Sequence, residues 1–472
     1  MIKRSLDSIQ SVDFTKILVL LLCFILGLAL FCQFFVYYII IWAIIVLLYL
    51  LFAKKVKSSW LSDKLFKLST LQLMIILFIL AVILRLIFLM QKPFLSTDLE
   101  HLYLVRSQYM LDGKVPYRDF SPNKPPMYVY LLYFMGLSLG VGQIQFRIFF
   151  IAIDSLIPIV IYLIGSSIFN KRYAIVVALL YVFCPISFLE IGVAGHYDSI
   201  PAVFTMISIL MLYRKKPALS GLSLGMAFAF KIYPIVIFLF FMIWFKSWKQ
   251  RVKFTVAFPI PIILSFIPTL IIYPSGVIEY FLYQTIEWEP WGLVSGPLVN
   301  FFGNTFLGLK ISNLILFFFL FIILVLFYTT AIKKKSYNFW LKLIILIFLF
   351  VEILGILDFF ARDANKVLIA MIIIALLILL IFAYHPLSKF LDPYLSKKIP
   401  NEDNILIQSV FALMFLIIGS NQAHSWYLIW MVPFVCIIRT KDFRWFFLIL
   451  LLVMHPMEYV SHPQWFDGMI YP

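Results

Sequence analysis

The chain has 472 residues, 64% of them hydrophobic and only 13% charged, with a formal net charge of +16. So little polar side chain cannot cover a soluble globule, which excludes that class. In a soluble protein the basic excess would suggest a nucleic-acid partner; here the cations sort by membrane side, and no nucleic acid is expected.

Many apolar runs reach the roughly 17–25 residues that a helix needs to cross a bilayer, without the period-2 alternation of a β-barrel. The expected class is an all-α polytopic membrane protein of about 13–15 transmembrane helices, with a large outer loop of interfacial helices after the third span. The first run, from Ile17, precedes no small-residue cleavage site and reads as a retained span. Spans near 17–32 and 35–53 make an N-terminal hairpin, extended by a basic loop to residue 69. The third lies near 70–90, with Arg85 expected to snorkel toward the interface.

The loop that follows, 91–146, is long and holds Lys92, Arg106, Lys114, Arg118 and Lys124, with Arg147 closing it. Long extramembrane loops are more often functional than decorative. Its first part, "STDLEHLYLVRSQYMLDG", reads as a helix, with Thr97 as N-cap, Glu100 three residues on as in a capping box, and Gly113 as the stop. Asp98 reads either as compensation of the helix dipole or as a working acid at head-group depth. After "GKVPYRDFSPNKPP" an apolar stretch, "PPMYVYLLYFMGLSLG", is expected to lie along or dip into the interface.

Further spans fall near 147–167, 173–190, 198–213, 217–231, 234–245 and 254–273, with 217–245 readable as one re-entrant pair. Between the second and third of these stands "EIGVAGHYDSIPAVF", carrying Glu190, His196, Tyr197 and Asp198. Lys231 follows fourteen apolar or small residues, and Pro234 breaks the helix after it. A lysine at such depth is costly and marks a functional site, with snorkelling as the alternative. The remaining spans lie near 311–330, 339–357, 366–384, 405–419, 426–438 and 444–457. Within them "GSNQAHSWYLIWMVPF" supplies His424, Trp426 and Tyr427, while Asp154, Glu352 and Asp358 have no evident partners. The four cysteines are scattered through apolar segments as packing residues.

With a cytoplasmic N-terminus, alternation of sides puts 27 of the 38 Lys and Arg, but only 7 of the 22 acids, on the inner face. That asymmetry is what the positive-inside rule demands. Both conspicuous polar clusters and the large loop then share the opposite, extracytoplasmic or lumenal face.

The succession of "TDLEHLYLVRSQYMLDGKVPYRDFSPNKPP", "AGHYDSIPAVF", "RKKPALSGLSLGMAFAFKIYP" and "SWYLIWMVPF" resembles the GT-C glycosyltransferases, above all the polytopic mannosyltransferases that use polyprenyl-phosphate or dolichyl-phosphate sugars. After the hairpin at 1–69, the resemblance implies a GT-C transmembrane module at 70–273 with its catalytic loop at 91–146, and helices at 274–472 that complete an outer-face cavity. It implies Asp98 as catalytic base and a Lys231 region facing the donor phosphate. The Asp-Leu-Glu here differs from the adjacent acids or Asp-x-Asp of many relatives, and two spans precede the usual first one.

Single displacement of a sugar from a lipid phosphate needs one carboxylate to take the acceptor's proton and cations to stabilise the departing phosphate. Asp98, with Glu100, answers the first need; Lys231, Arg118, Lys124 and Arg147 answer the second. Asp119, His196, Tyr197, Asp198, His424, Trp426 and Tyr427 are the candidate substrate contacts. Trp288, Trp291, Trp426 and Trp465 read either as sugar-stacking platforms or as an interfacial belt. No cofactor is expected; a divalent metal held by His101, His196, His424, His455 or His462 with Asp98 and Asp198 has no diagnostic spacing. The partners expected are a polyprenyl-phosphate sugar donor, a glycan, glycolipid or protein acceptor, and membrane lipids. The rival reading is a multi-pass transporter or lipid-linked-glycan flippase.

Overall fold

The computed structural model describes residues 67–87, 97–276 apart from 123, 305–306, 309–333, parts of 339–347, 401–420 and most of 424–451. The N-terminal hairpin, Trp288, Trp291, Trp465, Glu352, Asp358, His455, His462 and the span near 366–384 lie outside the described residues.

The fold is all-α and multi-pass, apart from a two-residue antiparallel ribbon pairing Thr305–Phe306 with Leu309–Lys310. Four described helices are long and apolar enough to cross a membrane, Gln143–Ile168, Trp248–Ile272, Asn313–Ile332 and Glu402–Gly419, and a bent pair, Lys171–Val182 with Pro185–Val193, makes a fifth. In chain order the elements are α1 (Thr70–Leu86), a π-helical turn Thr97–Leu104 running into α2 (Val105–Leu111), α3 (Pro126–Leu139), α4 (Gln143–Asp154), α5 (Ile157–Ile168) and α6 (Lys171–Val182). A second π-helical segment, Phe188–Val193, precedes α7 (Ser199–Tyr213), α8 (Pro217–Phe230), α9 (Ile235–Trp244), α10 (Trp248–Ala257) and α11 (Pro259–Ile272). Later come α12 (Ile311–Leu326), α13 (Asn401–Gly419), a 3-10 turn Ser425–Trp430 and α14 (Val432–Ile437). Prolines open α3, α8 and α11, where a missing N–H costs nothing.

Arg85 does not snorkel. It is fully buried and its Nε lies 2.5 Å from Asp154 Oδ2, while Ser187 and the Ala81 carbonyl take its remaining donors and Tyr181 donates to the other Asp154 oxygen. The pair joins α1, α4, α6 and the Pro185–Ser187 turn through one satisfied polar knot. An ion pair whose nitrogens and oxygens all have hydrogen-bond partners is the form in which charge is tolerated at this depth.

α7 and α8 form an antiparallel hairpin across Arg214–Lys216, bonded by reciprocal contacts of Ser208 and Ser220. α8 then lies hard against the α10–α11 helix: a Cβ on Gly221 or Gly225 would run into the carbonyls of Phe254 and Phe258. This Gly-x-x-x-Gly face is the small-residue device by which membrane helices approach closely. α8 and α9 are separate helices broken at Lys231–Pro234, and ten residues of α9 span only about 15 Å.

The hairpin fixes two ends of the bundle. At one, Tyr213 donates to the Glu402 carbonyl, Asp403 accepts from the backbone N–H groups of Arg439 and Thr440, and Tyr173 donates to the carbonyls of Ile437 and Ile438. The basic loops at 168–172, 214–216 and 439–440 therefore meet there. The start of α7 and the end of α8 lie at the opposite end, together with the polar clusters.

Candidate active site

Asp198 immediately precedes α7 and Lys231 immediately follows α8, so the hairpin brings them side by side. Lys231 Nζ lies 2.6 Å from Asp198 Oδ1, and Trp430 Nε1 donates to the same oxygen at 2.7 Å. Both charged groups are buried. The ammonium also sits over the rings of Tyr427 (4.5 Å), Trp430 (4.9 Å) and Tyr197 (5.2 Å). Such rings attract a desolvated cation electrostatically. Trp430 is stacked between Tyr233 and Tyr427, and Trp426 stacks on both His196 (4.2 Å) and His424 (4.0 Å). The 3-10 turn makes this possible, because residues three apart eclipse in it.

Asp98 reaches the same cluster from the large loop. Its Oδ2 lies 3.4 Å from the hydroxyl of Tyr103, which lies 3.4 Å from His196 Nδ1. Burial pushes the Asp98 pKa up, but the fields of His196, Lys124, His424 and Lys231 together outweigh it and hold the carboxyl below its ordinary value. Lys124 is pushed down to about 8, first by burial and then by its neighbours Lys231 and Arg106, against the pull of Asp98 and Asp198. Its carbonyl is held by the hydroxyl of Tyr117.

Gly195 sets the turn that carries His196. It has φ +72, and a Cβ there would stand 2.9 Å from Arg147 Cγ and Leu99 Cδ2. Gly195→Ala is expected to lose about 1–3 kcal/mol of stability through left-handed backbone strain and that collision, and to displace His196. Thermal unfolding in detergent checks it; an unshifted transition would contradict the strain.

Of the residues singled out in the sequence, Asp98, Lys124, Lys231, His196, Tyr197, Asp198, His424, Trp426 and Tyr427 come together. Others do not. Glu100 accepts from Gln143 Nε2 at 2.5 Å and so ties the loop to α4; the first turn is π-helical, and the capping-box role expected of it is not what its carboxylate does. Arg118 and Asp119 pair with each other on an exposed turn. Arg147 is buried and donates to the Gly192 carbonyl, where it braces the segment before His196. Trp426 is buried beneath two imidazoles, so that its stacking faces inward. His101 is exposed, and among the described residues no three His, Cys, Asp or Glu gather as metal ligands.

Two further residues, Tyr103 and Trp430, belong to the site. For Tyr103 the signal is absent on α-helical periodicity, since only the wider i→i+5 turn brings residue i+5 back beneath residue i. Trp430 could have been found from its spacing of three after Tyr427.

Residues 123–273, which hold Lys124, His196, Asp198 and Lys231, match the dolichyl-phosphate-mannose-protein mannosyltransferase family. Over 145 residues, 30% of this chain, the sequence is 23% identical to GPI mannosyltransferase 1 of Saccharomyces cerevisiae, and the match spans about a third of that curated relative (34%). Among solved structures it is similar to ArnT from Cupriavidus metallidurans in the apo state, at TM-score 0.39 and 14% identity over 82% of this chain and 78% of that one. It is also similar to the Archaeoglobus fulgidus oligosaccharyltransferase solved with Zn and sulfate, at TM-score 0.32 and 15% identity over 82% of this chain and 53% of that one.

Proposed function

We propose that this chain, a mannosyltransferase-like glycosyltransferase of the GT-C superfamily, moves a single hexose, mannose by preference, from a polyprenyl-phosphate carrier to an acceptor hydroxyl. The reaction is an inverting single displacement on the extracytoplasmic or lumenal face. One observation carries the reading: at the end of the bundle away from the basic loops, the charges of Lys124 and Lys231 both act on the Asp98 carboxylate. A base beside two cations is the minimum that this displacement requires.

In the reaction Asp98 takes the proton of the acceptor hydroxyl as the acceptor oxygen bonds to C1 of the sugar. The bond from C1 to the phosphate oxygen breaks, and its electron pair stays on the phosphate, whose charge grows by one. Lys124 and Lys231 stabilise that charge, and fixed cations in a water-poor site do so without reorganising. Asp98, held ionised by the same cations, is in the form needed to accept a proton. Asp198 neutralises part of the Lys231 charge and orients the ammonium, while the isoprenoid tail lies among the apolar helices. The large outer loop presents the acceptor, a glycan, glycolipid or protein side chain.

The test is transfer by purified protein offered polyprenyl-phosphate mannose, glucose or arabinose with a hydroxyl acceptor. Mannosylated product in excess of the others is expected; no product from any donor would overturn the reading.

Lys124 gives a pH signature. Being cationic below about 8 and neutral above, it is expected to make kcat/KM for the donor fall above pH 8, by up to about tenfold per unit. Lys124→Arg, which keeps its charge, should flatten that limb. A profile level to pH 10 in the unaltered protein would contradict the assignment.

A further inference from the structure

The buried groups behind Asp98 are left unused by the displacement just described. Tyr103 and His196 are 1% exposed and Glu190 is 0% exposed. Asp98 Oδ2, Tyr103 OH and His196 Nδ1 follow one another at 3.4 Å each, and His196 Nε2 lies 3.6 Å from Glu190 Oε2. The far part of the chain is rigid: the backbone N–H of His196 donates to the Glu190 carbonyl at 2.9 Å, Arg147 holds the Gly192 carbonyl, and Trp426 covers the imidazole face. Contacts of this length are usual before a substrate closes a site, and shorten when it does.

We propose that Tyr103 and His196, backed by Glu190, form a proton relay that carries the acceptor's proton from Asp98 to His196 Nδ1. The proposal rests on the transfer reading above. As the acceptor O–H bond breaks, its proton goes to Asp98 Oδ2. Asp98 passes a proton to the Tyr103 oxygen while the tyrosine's own proton moves to Nδ1. The imidazolium so formed keeps its Nε2–H toward the Glu190 carboxylate, which balances the new charge. Tyr103 ends unchanged, Asp98 is again a carboxylate, and the positive charge gained on His196 matches the negative charge gained on the phosphate. The proton leaves once product departs and water enters.

The physical advantage lies in base strength. A carboxylate held ionised by neighbouring cations is a weak base, whereas an imidazole is a stronger one. The resting tautomer is implied as well: Nδ1 must be free of a proton to accept one, so that Nε2 bears the hydrogen facing Glu190. Tyr103, His196 and Glu190 act through Asp98 and are relay residues, not groups that touch the sugar.

A pH profile separates relay from scaffold. The charged or titratable groups around the relay are Asp98, Glu190, Asp198, Lys124, Lys231, Arg147, His424, Tyr128 and Tyr197. The relay ends on His196 Nδ1 and needs that nitrogen free of a proton, so kcat/KM of the unaltered protein falls on the acid side. In Tyr103→Phe, which keeps the ring packed against Tyr128, Phe150 and Tyr197, the relay is cut. The rate at pH 7 should then drop by about tenfold or more, and the acid limb should move to lower pH. Glu190→Gln, equal in shape, should give a smaller rate loss and a limb displaced to lower pH, with donor KM unchanged in both variants. An unaltered protein with no acid limb would overturn the relay. A Tyr103→Phe limb that stays where the unaltered protein has it would do the same. Absence of transfer by the unaltered protein with every donor would instead overturn the transfer reading, and the relay with it.

Discussion

Asp98→Asn is expected to cut hexose transfer by roughly 10²–10⁴-fold while the protein stays folded. The amide has the shape of the carboxylate and can still accept from Tyr103, so the half-buried loop keeps its packing. What is lost is the proton acceptor. Because the change also removes a negative charge from beside Lys124 and Lys231, donor affinity should hold or rise, and the loss should fall on kcat. That pattern, a lower kcat with an equal or lower KM, marks an interaction made in the transition state. Near-normal turnover in Asp98→Asn would move the base elsewhere in the pocket, with Asp198 the first alternative.

The second large effect concerns Lys231. Lys231→Met removes the charge 2.6 Å from a fully buried carboxylate and leaves Asp198 with the Trp430 N–H on the same oxygen. Breaking a buried pair on one side typically costs about 3–5 kcal/mol, because the remaining charge is uncompensated. Transfer should fall by about 10²–10³-fold through loss of one fixed cation at the phosphate. The two consequences separate in the double variant Asp198→Asn/Lys231→Met. Removing the orphaned carboxylate should restore most of the thermal stability and none of the activity. Recovery of both would show that Lys231 matters only as the partner of Asp198, and equal stability of the single variant and the unaltered protein would show that the pair is not closed off from water.

Much of the fold is legible in the sequence because hydropathy and proline are local signals. The runs near 70–90, 198–213, 217–231 and 405–419 are helices, and the break after Lys231 comes where Pro234 requires it. The grouping of the basic loops is legible too, since those that share a cation excess gather at one end of the bundle. What the sequence hides are partnerships between distant residues. Arg85 reads as a snorkelling cation until Asp154, 69 residues away, is seen to receive it. Glu100 matches a capping box by spacing, yet its carboxylate is taken by Gln143, 43 residues on. Asp198 and Lys231 stand out individually, but their contact depends on two helices of nearly equal length folding back on each other. The π-helical turn at Thr97–Leu104 conceals Tyr103 in another way, since it violates the period on which face assignments rest.

The most direct measurement follows both ends of the donor in a single experiment. Purified protein in sealed vesicles would receive polyprenyl-phosphate mannose labelled in the sugar, with a hydroxyl acceptor, and the fate of the lipid and the anomeric configuration of the product would be read together. Release of one polyprenyl phosphate for each mannose transferred, with inversion at C1, is the predicted result. Movement of the intact lipid-linked sugar between leaflets without cleavage, or transfer with retained configuration, would contradict it.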